Sequence, residues 1–302
     1  MRQRFKLMAT MLLALYIAVS MAACGAGDDA KESADAPADQ ATQTDTDEQS
    51  GDDSLQKILD KGELVLGCDD AFPPMGFIGE NDEIVGFDID LAEAVADKLG
   101  VDLVVKPIDW EAKEMELQSG NIDVIWNGYS ITVDRIDKVT FTKPYLNNAQ
   151  LLVVRSDSDI ASKGDLAGKI VGAQIESAAE ALVKDDANFN DSLEELRIYD
   201  DYQDALNDLK SSTRIDAVAV DKILIEYIMQ QSPDTFKTLD ESLGDEYFGI
   251  GCRKGEEALA DAIDKALDDL KADGGTKSVS ERWFSSDDIV IRDVPRLQAT
   301  DF

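Results

Sequence analysis

The stretch "WNGYSITVDR", Trp126 to Arg135, gathers hydroxyls, an amide and a single arginine behind the apolar residues of 122–125. A guanidinium presents a planar fork of donors that suits a carboxylate; the plain alternative for Arg135 is a surface pair with Asp134 or Asp137 in the first turn of a helix. Asp221 closes the apolar run "AVAVD", where an aspartate can meet a cation or cap the helix that follows. Asp69, in "GCDDAF", stands just ahead of Pro73 and Pro74, where an aspartate can serve as a turn residue. The chain has no histidine, which removes serine-histidine triads and histidine-zinc sites. Its three cysteines, Cys24, Cys68 and Cys252, are too few and too far apart for a zinc cluster or a CxxC redox pair. Neither a metal nor a cofactor is expected.

The elements that must hold these residues can be read from periodicity. After "ELVLGC", a strand, and the turn-rich "DDAFPPMGF", the apolar residues Ile89, Leu91, Ala92, Val95, Ala96 and Leu99 recur at helical spacing and stop at Gly100. The run "DLVVKPI" predicts a strand, "DWEAKEMELQSG" a helix and "IDVIWNG" another strand. The second half repeats the alternation through "LLVVRSDS", "LAGKIVGAQIESAAEALV", "RIYDDYQDALNDL" and "RIDAVAVDKILIEYIM". Such alternation predicts α/β sheets covered by helices on both faces, and 302 residues suffice for two such domains. In open α/β sheets ligands sit beyond the carboxyl ends of strands, where "GCDDAF", "WNGYSIT" and "AVAVD" fall.

Against 63 acidic residues stand 29 basic ones, a formal net charge of -34, which repels nucleic acid, so no nucleic-acid partner is expected. The N-terminus has a basic start (Arg2, Arg4, Lys6) and an apolar run, Leu7 to Val19, the pattern of an export signal over residues 1–23. It closes in "MAAC" and Gly25, which resembles the lipobox of bacterial lipoproteins and implies acylation of Cys24, a palmitate-type anchor in the bilayer. Residues 24–54 are poor in large apolar side chains and read as a disordered acidic tether, with a reach of about 30 Å.

Taken together, "LVLGCDDAFPPMGF", "IVGFDIDLAEAVADKLG", "GNIDVIWNGYSITVDRIDKVTFTKPYL", "LAGKIVGAQIESAAE" and "RIDAVAVD" resemble the solute-binding proteins of bacterial polar amino-acid ABC transporters, over about residues 55–284. The resemblance implies a two-lobed periplasmic-binding-protein-like fold (type II) with the ligand cleft between the lobes. Lobe one would be residues 55–148 plus 246–302 and lobe two 149–245, joined by extended crossings near 147–151 and 245–248. It implies a protein held by lipid at the extracellular face of the cell membrane, which delivers a free amino acid to a membrane permease. By the same resemblance Arg135 grips the ligand carboxylate, with Ser130 and the turn at Ser177 and Ala178. Asp221 receives the ammonium, aided by Ser130 and the Gly128 carbonyl.

By the same resemblance Phe72 covers the ligand side chain in preference to joining the core, and Trp126 is open between the same two roles. Asp69 meets the distal polar group, which favours glutamine or a cationic amino acid. Asp109, Glu111 and Gln150 either line the mouth or, for the first two, begin a solvated helix. The sequence departs from the family at Glu176, where many members carry glycine, and at Ala178, which lacks a hydroxyl. Cys68 and Cys252 are either a disulfide or two buried thiols. The alternative to a binder is an enzyme on the same fold, dehydratase-like and acting on a small carboxylate; the poor supply of acid-base groups argues for a non-enzyme.

Overall fold

The computed structural model describes residues 51–211 and 214–302. The export signal, Cys24 and most of the tether lie outside the described residues. The ordered body starts earlier than the tether reading placed it. Helix α1 (Ser54–Lys61) begins at a buried Ser54 whose Oγ accepts from Leu259 N at 3.0 Å, and Asp52 accepts from Ala258 N.

Strand β1 (Glu63–Cys68) leads into a small antiparallel unit of β2 (Ala71–Phe72), β3 (Gly76–Ile78) and β4 (Ile84–Val85). Helix α2 (Phe87–Leu99) follows and buries the apolar face that its spacing predicts; it is closed by Gly100 in the left-handed conformation, φ 75°. Strand β5 (Asp102–Pro107) precedes a 3-10 turn at Trp110–Ala112 that runs into α3 (Lys113–Gln118). Strand β6 is only Val124–Ile125, shorter than "IDVIWNG" predicts, because the chain turns off to form the site loop. Helix α4 (Val133–Lys138) and β7 (Val139–Phe141) complete this half before the long β8 (Leu146–Arg155).

The middle of the chain supplies β9 (Ile170–Gln174), α5 (Ala178–Asp185), α6 (Ala187–Ser192), β10 (Glu195–Tyr199), α7 (Tyr202–Ser211), β11 (Ala217–Asp221) and α8 (Lys222–Gln231). Strand β12 (Phe236–Phe248) returns antiparallel to β8, pairing Leu146 with Phe248 and Asn148 with Glu246. Strand β13 (Gly251–Arg253) and helices α9 (Glu257–Asp273) and α10 (Gly275–Phe284) then pack with the first half.

Two five-stranded sheets result, in the orders β5-β1-β6-β13-β7 and β10-β9-β11-β8-β12. In the first, β1 is parallel to β5 and β6 while β13 runs antiparallel; in the second, β9, β10 and β11 are parallel and β8 runs antiparallel to both its neighbours, β11 and β12. Each sheet has an apolar layer of its own, around Ile125, Tyr129 and Phe141 in one and Leu152, Val171 and Ala219 in the other. A further cluster runs through the junction and includes Phe72, Tyr145, Tyr202, Leu224 and Phe248. Both crossings are extended, in β8 and β12. Cys68 and Cys252 are free buried thiols, held apart by the intervening β6.

Candidate ligand site

The parallel strands of both sheets end at one place. Asp69 follows β1, Asn127 to Ser130 follow β6, Gln174 ends β9 and Asp221 ends β11. With Phe72, Trp110, Arg135, Ser177, Ala178 and Tyr202, the residues Asp69, Asn127, Gly128, Ser130, Gln174 and Asp221 line one tightly closed cavity.

Arg135 is brought there by a short helix that Thr132 caps, its side chain accepting from Arg135 N. Only 7% exposed, it lies with its guanidinium carbon 4.6 Å from the centre of the Tyr129 ring. Its Nη1 donates to the Ser130 carbonyl at 3.0 Å, and Nη2 donates across to the Glu176 carbonyl at 2.8 Å.

On the opposite wall Asp221 is 4% exposed, and its Oδ1 accepts from Asn148 Nδ2 at 2.8 Å and Gln150 Nε2 at 2.7 Å. The same two amides donate to Glu246 Oε1 at 2.6 and 2.8 Å. Burial, with the neighbouring Glu246 charge, pushes the Asp221 carboxyl well above the usual range. Two carboxylates sharing two amide groups leave a pronounced demand for positive charge at this corner. The buried Tyr202 hydroxyl lies beside it, next to Ser177.

At the third corner Asp69 Oδ1 accepts from Ala71 N at 2.8 Å and Oδ2 accepts from Gln174 Nε2 at 2.6 Å. Burial raises its carboxyl to about 6, with these hydrogen bonds acting in the other direction. Phe72 and Tyr202 meet with ring centres 5.9 Å apart, so the two walls touch directly. Behind the loop Asp88, fully buried, accepts from Gly128 N and from the Tyr145 hydroxyl, each at 2.8 Å, which fixes the loop against α2.

With this geometry in place, comparison with known proteins becomes specific. Residues 64–286 match the bacterial extracellular solute-binding proteins, family 3. The chain belongs to that family. The L-cystine-binding protein TcyJ of Escherichia coli (strain K12) is 31% identical over 235 residues, which cover 77% of this chain and 86% of the relative. A substrate-binding protein of an ABC uptake transporter from Streptococcus pneumoniae, solved with bound histidine, superposes with a TM-score of 0.76 at 36% identity, covering 80% of this chain and 99% of that one. An ancestral arginine-binding protein bound to arginine gives 0.69 at 40% identity, with 74% and 98% covered. The fold is the periplasmic-binding-protein-like α/β fold of type II, and the protein is an extracellular solute-binding protein.

Within this solute-binding protein eight of the nine residues singled out from sequence, Asp69, Phe72, Gly128, Ser130, Arg135, Ser177, Ala178 and Asp221, line the one cavity. Trp126 does not. It is wholly buried against Tyr145, ring centres 6.2 Å apart. Successive side chains of an extended stretch point to opposite sides, so Asn127 takes the cavity face instead. Asp109 and Glu111 are exposed at the 3-10 turn, while Gln150 is buried under Asp221.

The Glu176 side chain faces water; its backbone takes the left-handed conformation, φ 54°, in which glycine is at ease. Ser177 Oγ is used as the cap of α5, accepting from Glu180 N at 3.0 Å. Trp110, Asn127, Gln174 and Tyr202 were not found from sequence. Tyr202 and Gln174 sit in segments read only as helix and strand, and their meeting with Phe72 and Asp69 depends on the approach of two distant parts of the chain.

Proposed function

We propose that this solute-binding protein captures a free polar amino acid outside the cell and passes it to the permease of an ABC transporter. The observation that carries the reading is the opposition of Arg135 and Asp221 across one buried cavity. An amino acid brings a carboxylate and an ammonium, and withdrawing both from water is costly unless each meets charged hydrogen-bond partners. Arg135, with Ser130 and the Ser177–Ala178 turn, takes the carboxylate; Asp221 and the Gly128 carbonyl take the ammonium. Phe72, Trp110 and Tyr202 cover the side chain, and Asp69 with Gln174 addresses its distal end, which favours glutamine or a cationic ligand.

In this reading the residues hold the ligand by charge and hydrogen bonds, and the protein acts as a binder rather than an enzyme. Residues 55–148 plus 246–302 and residues 149–245 move as two lobes about the crossings in β8 and β12. Cys24 carries the lipid that holds the protein at the membrane, and the body begins at Asp52.

Charged hydrogen bonds contribute on the order of 1.5 to 3 kcal/mol each, enough in combination for micromolar affinity. The test is a thermal-shift screen of the soluble domain against the twenty amino acids and cystine, followed by calorimetry. Arginine, lysine, histidine or glutamine is expected to raise the melting temperature, and Arg135→Ala to lower affinity at least ~100-fold with the fold intact. Affinity of Arg135→Ala within a fewfold of wild type would reject the assignment.

A further inference from the structure

Lys113, the first residue of α3, is 0% exposed, which is rare for a lysine. It stands directly behind the cavity wall formed by Trp110, with Nζ 5.2 Å from the centre of that ring. Nζ donates to the Trp110 carbonyl at 3.1 Å and, across the junction, to the Glu176 carbonyl at 3.5 Å. That second carbonyl is the one Arg135 Nη2 also reaches, at 2.8 Å. Two cations from one wall therefore converge on a single carbonyl of the other, at a residue held in the left-handed conformation.

The nearby counter-charges are the carboxylates of Glu114 and Glu176. Glu114 Oε2 lies 3.5 Å from Lys113 Nζ, but the same carboxylate also accepts from the Tyr129 hydroxyl at 3.0 Å and sits 4.0 Å from Lys138 Nζ. Burial, and next the charge of Arg135, pull the Lys113 ammonium down to about 8. Lys113 and Arg135 thus stand side by side on one wall and repel each other, with Glu114 and Glu176 as their nearby negative charges and Asp69 and Asp221 at the other corners of the cavity.

The geometry points to Lys113 as a second, indirect determinant of specificity: a buried cation that makes closure favourable when a ligand carboxylate lies beside Arg135 and unfavourable when that position is uncharged. It acts through the field it shares with Arg135 and through the Glu176 turn, as a positioning residue that touches no ligand atom. This inference rests on the reading of Arg135 as the carboxylate partner.

The test compares each amino acid with its α-carboxamide, which keeps the ammonium and side chain and loses the negative charge. L-arginine with L-argininamide, L-histidine with L-histidinamide, and L-cystine with its bis-amide are titrated by calorimetry into wild type, Lys113→Met and Lys113→Arg. The methionine keeps the length and apolar stem of lysine, and the arginine keeps the charge and checks that the position tolerates exchange. In wild type the carboxylate form is expected to bind far more tightly than the amide. In Lys113→Met that ratio is expected to fall about tenfold, the order for one charge acting through protein at an effective dielectric near 20, and in Lys113→Arg to recover.

A ratio unchanged within about twofold in Lys113→Met, while the amino acid still binds, overturns the role of Lys113 and leaves the amino-acid reading in place. A wild type that binds none of the three amino acids overturns that reading, and the inference with it.

Discussion

Three buried aspartates around the cavity are neutralised in three ways. Asp221 shares amides with Glu246, Asp88 takes a backbone N–H and a tyrosine hydroxyl, and Asp69 leans on Gln174 from the facing wall. Asp69 gives a pH signature. Its folded carboxyl titrates at about 6, against about 3.9 for an unfolded aspartate. A raised folded value means that the folded chain keeps its proton longer. The contribution is therefore full below about pH 4 and lost as pH rises through about 6. Denaturant unfolding of the ligand-free protein should show wild type losing on the order of 2 to 3 kcal/mol relative to Asp69→Asn across that window. Parallel curves for the two proteins would contradict it.

The loop after β6 illustrates how little of an element can be exchanged. Gly128 has φ 58°, and a Cβ there would come within 2.7 Å of Phe72 Cε1 and 3.1 Å of Phe248 Cε2. Gly128→Ala is expected to cost about 1 to 3 kcal/mol and to displace Phe72 from the cavity wall, abolishing binding; unfolding curves and calorimetry on the same sample check both effects. Much at this scale was legible beforehand. The 3.6-residue spacing of Ile89 to Leu99 and the stop at Gly100 mark α2, and the strand-loop pattern marks where Asp69, Ser130, Arg135 and Asp221 emerge. What stayed hidden depends on contacts distant in sequence. Nothing local distinguishes Trp126 from Asn127 as the cavity residue, or shows that the exposed-looking Lys113 of "EAKEMEL" is covered by a turn 63 residues on. Glu176 could be recognised as a departure from glycine, yet its left-handed backbone is visible only in the fold.

Across the whole molecule, the C-terminal segment after α10 is strapped to α9 and extends past the family match, which ends at residue 286. Arg292 donates to Asp264 Oδ1 and Asp268 Oδ1, both at 2.7 Å, and Arg296 reaches Glu257, Asp261 and Asp264. The Arg292 and Asp264 side chains are 6% and 7% exposed, so removal of Arg292 leaves the buried Asp264 with Arg296 as its one remaining cation among the described residues. Arg292→Ala should therefore destabilise the protein by on the order of 3 kcal/mol, measurable by chemical denaturation, with ligand affinity little changed. A loss below about 1 kcal/mol would place this pair with ordinary surface ion pairs.

The other end of the chain meets the same helix. Asp52 and Ser54 hold the N–H groups of Ala258 and Leu259 at the start of α9, and α9 packs on α2. Tension on the segment ahead of Asp52 is therefore delivered to α9 and the first sheet, without passing through β8 or β12. If, as proposed, Cys24 carries the anchor and capture turns on the crossings in β8 and β12, the half that holds α9 is the mounted one and the half built on β9, β10 and β11 the swinging one. A pull toward the membrane would then leave the proposed hinge unloaded.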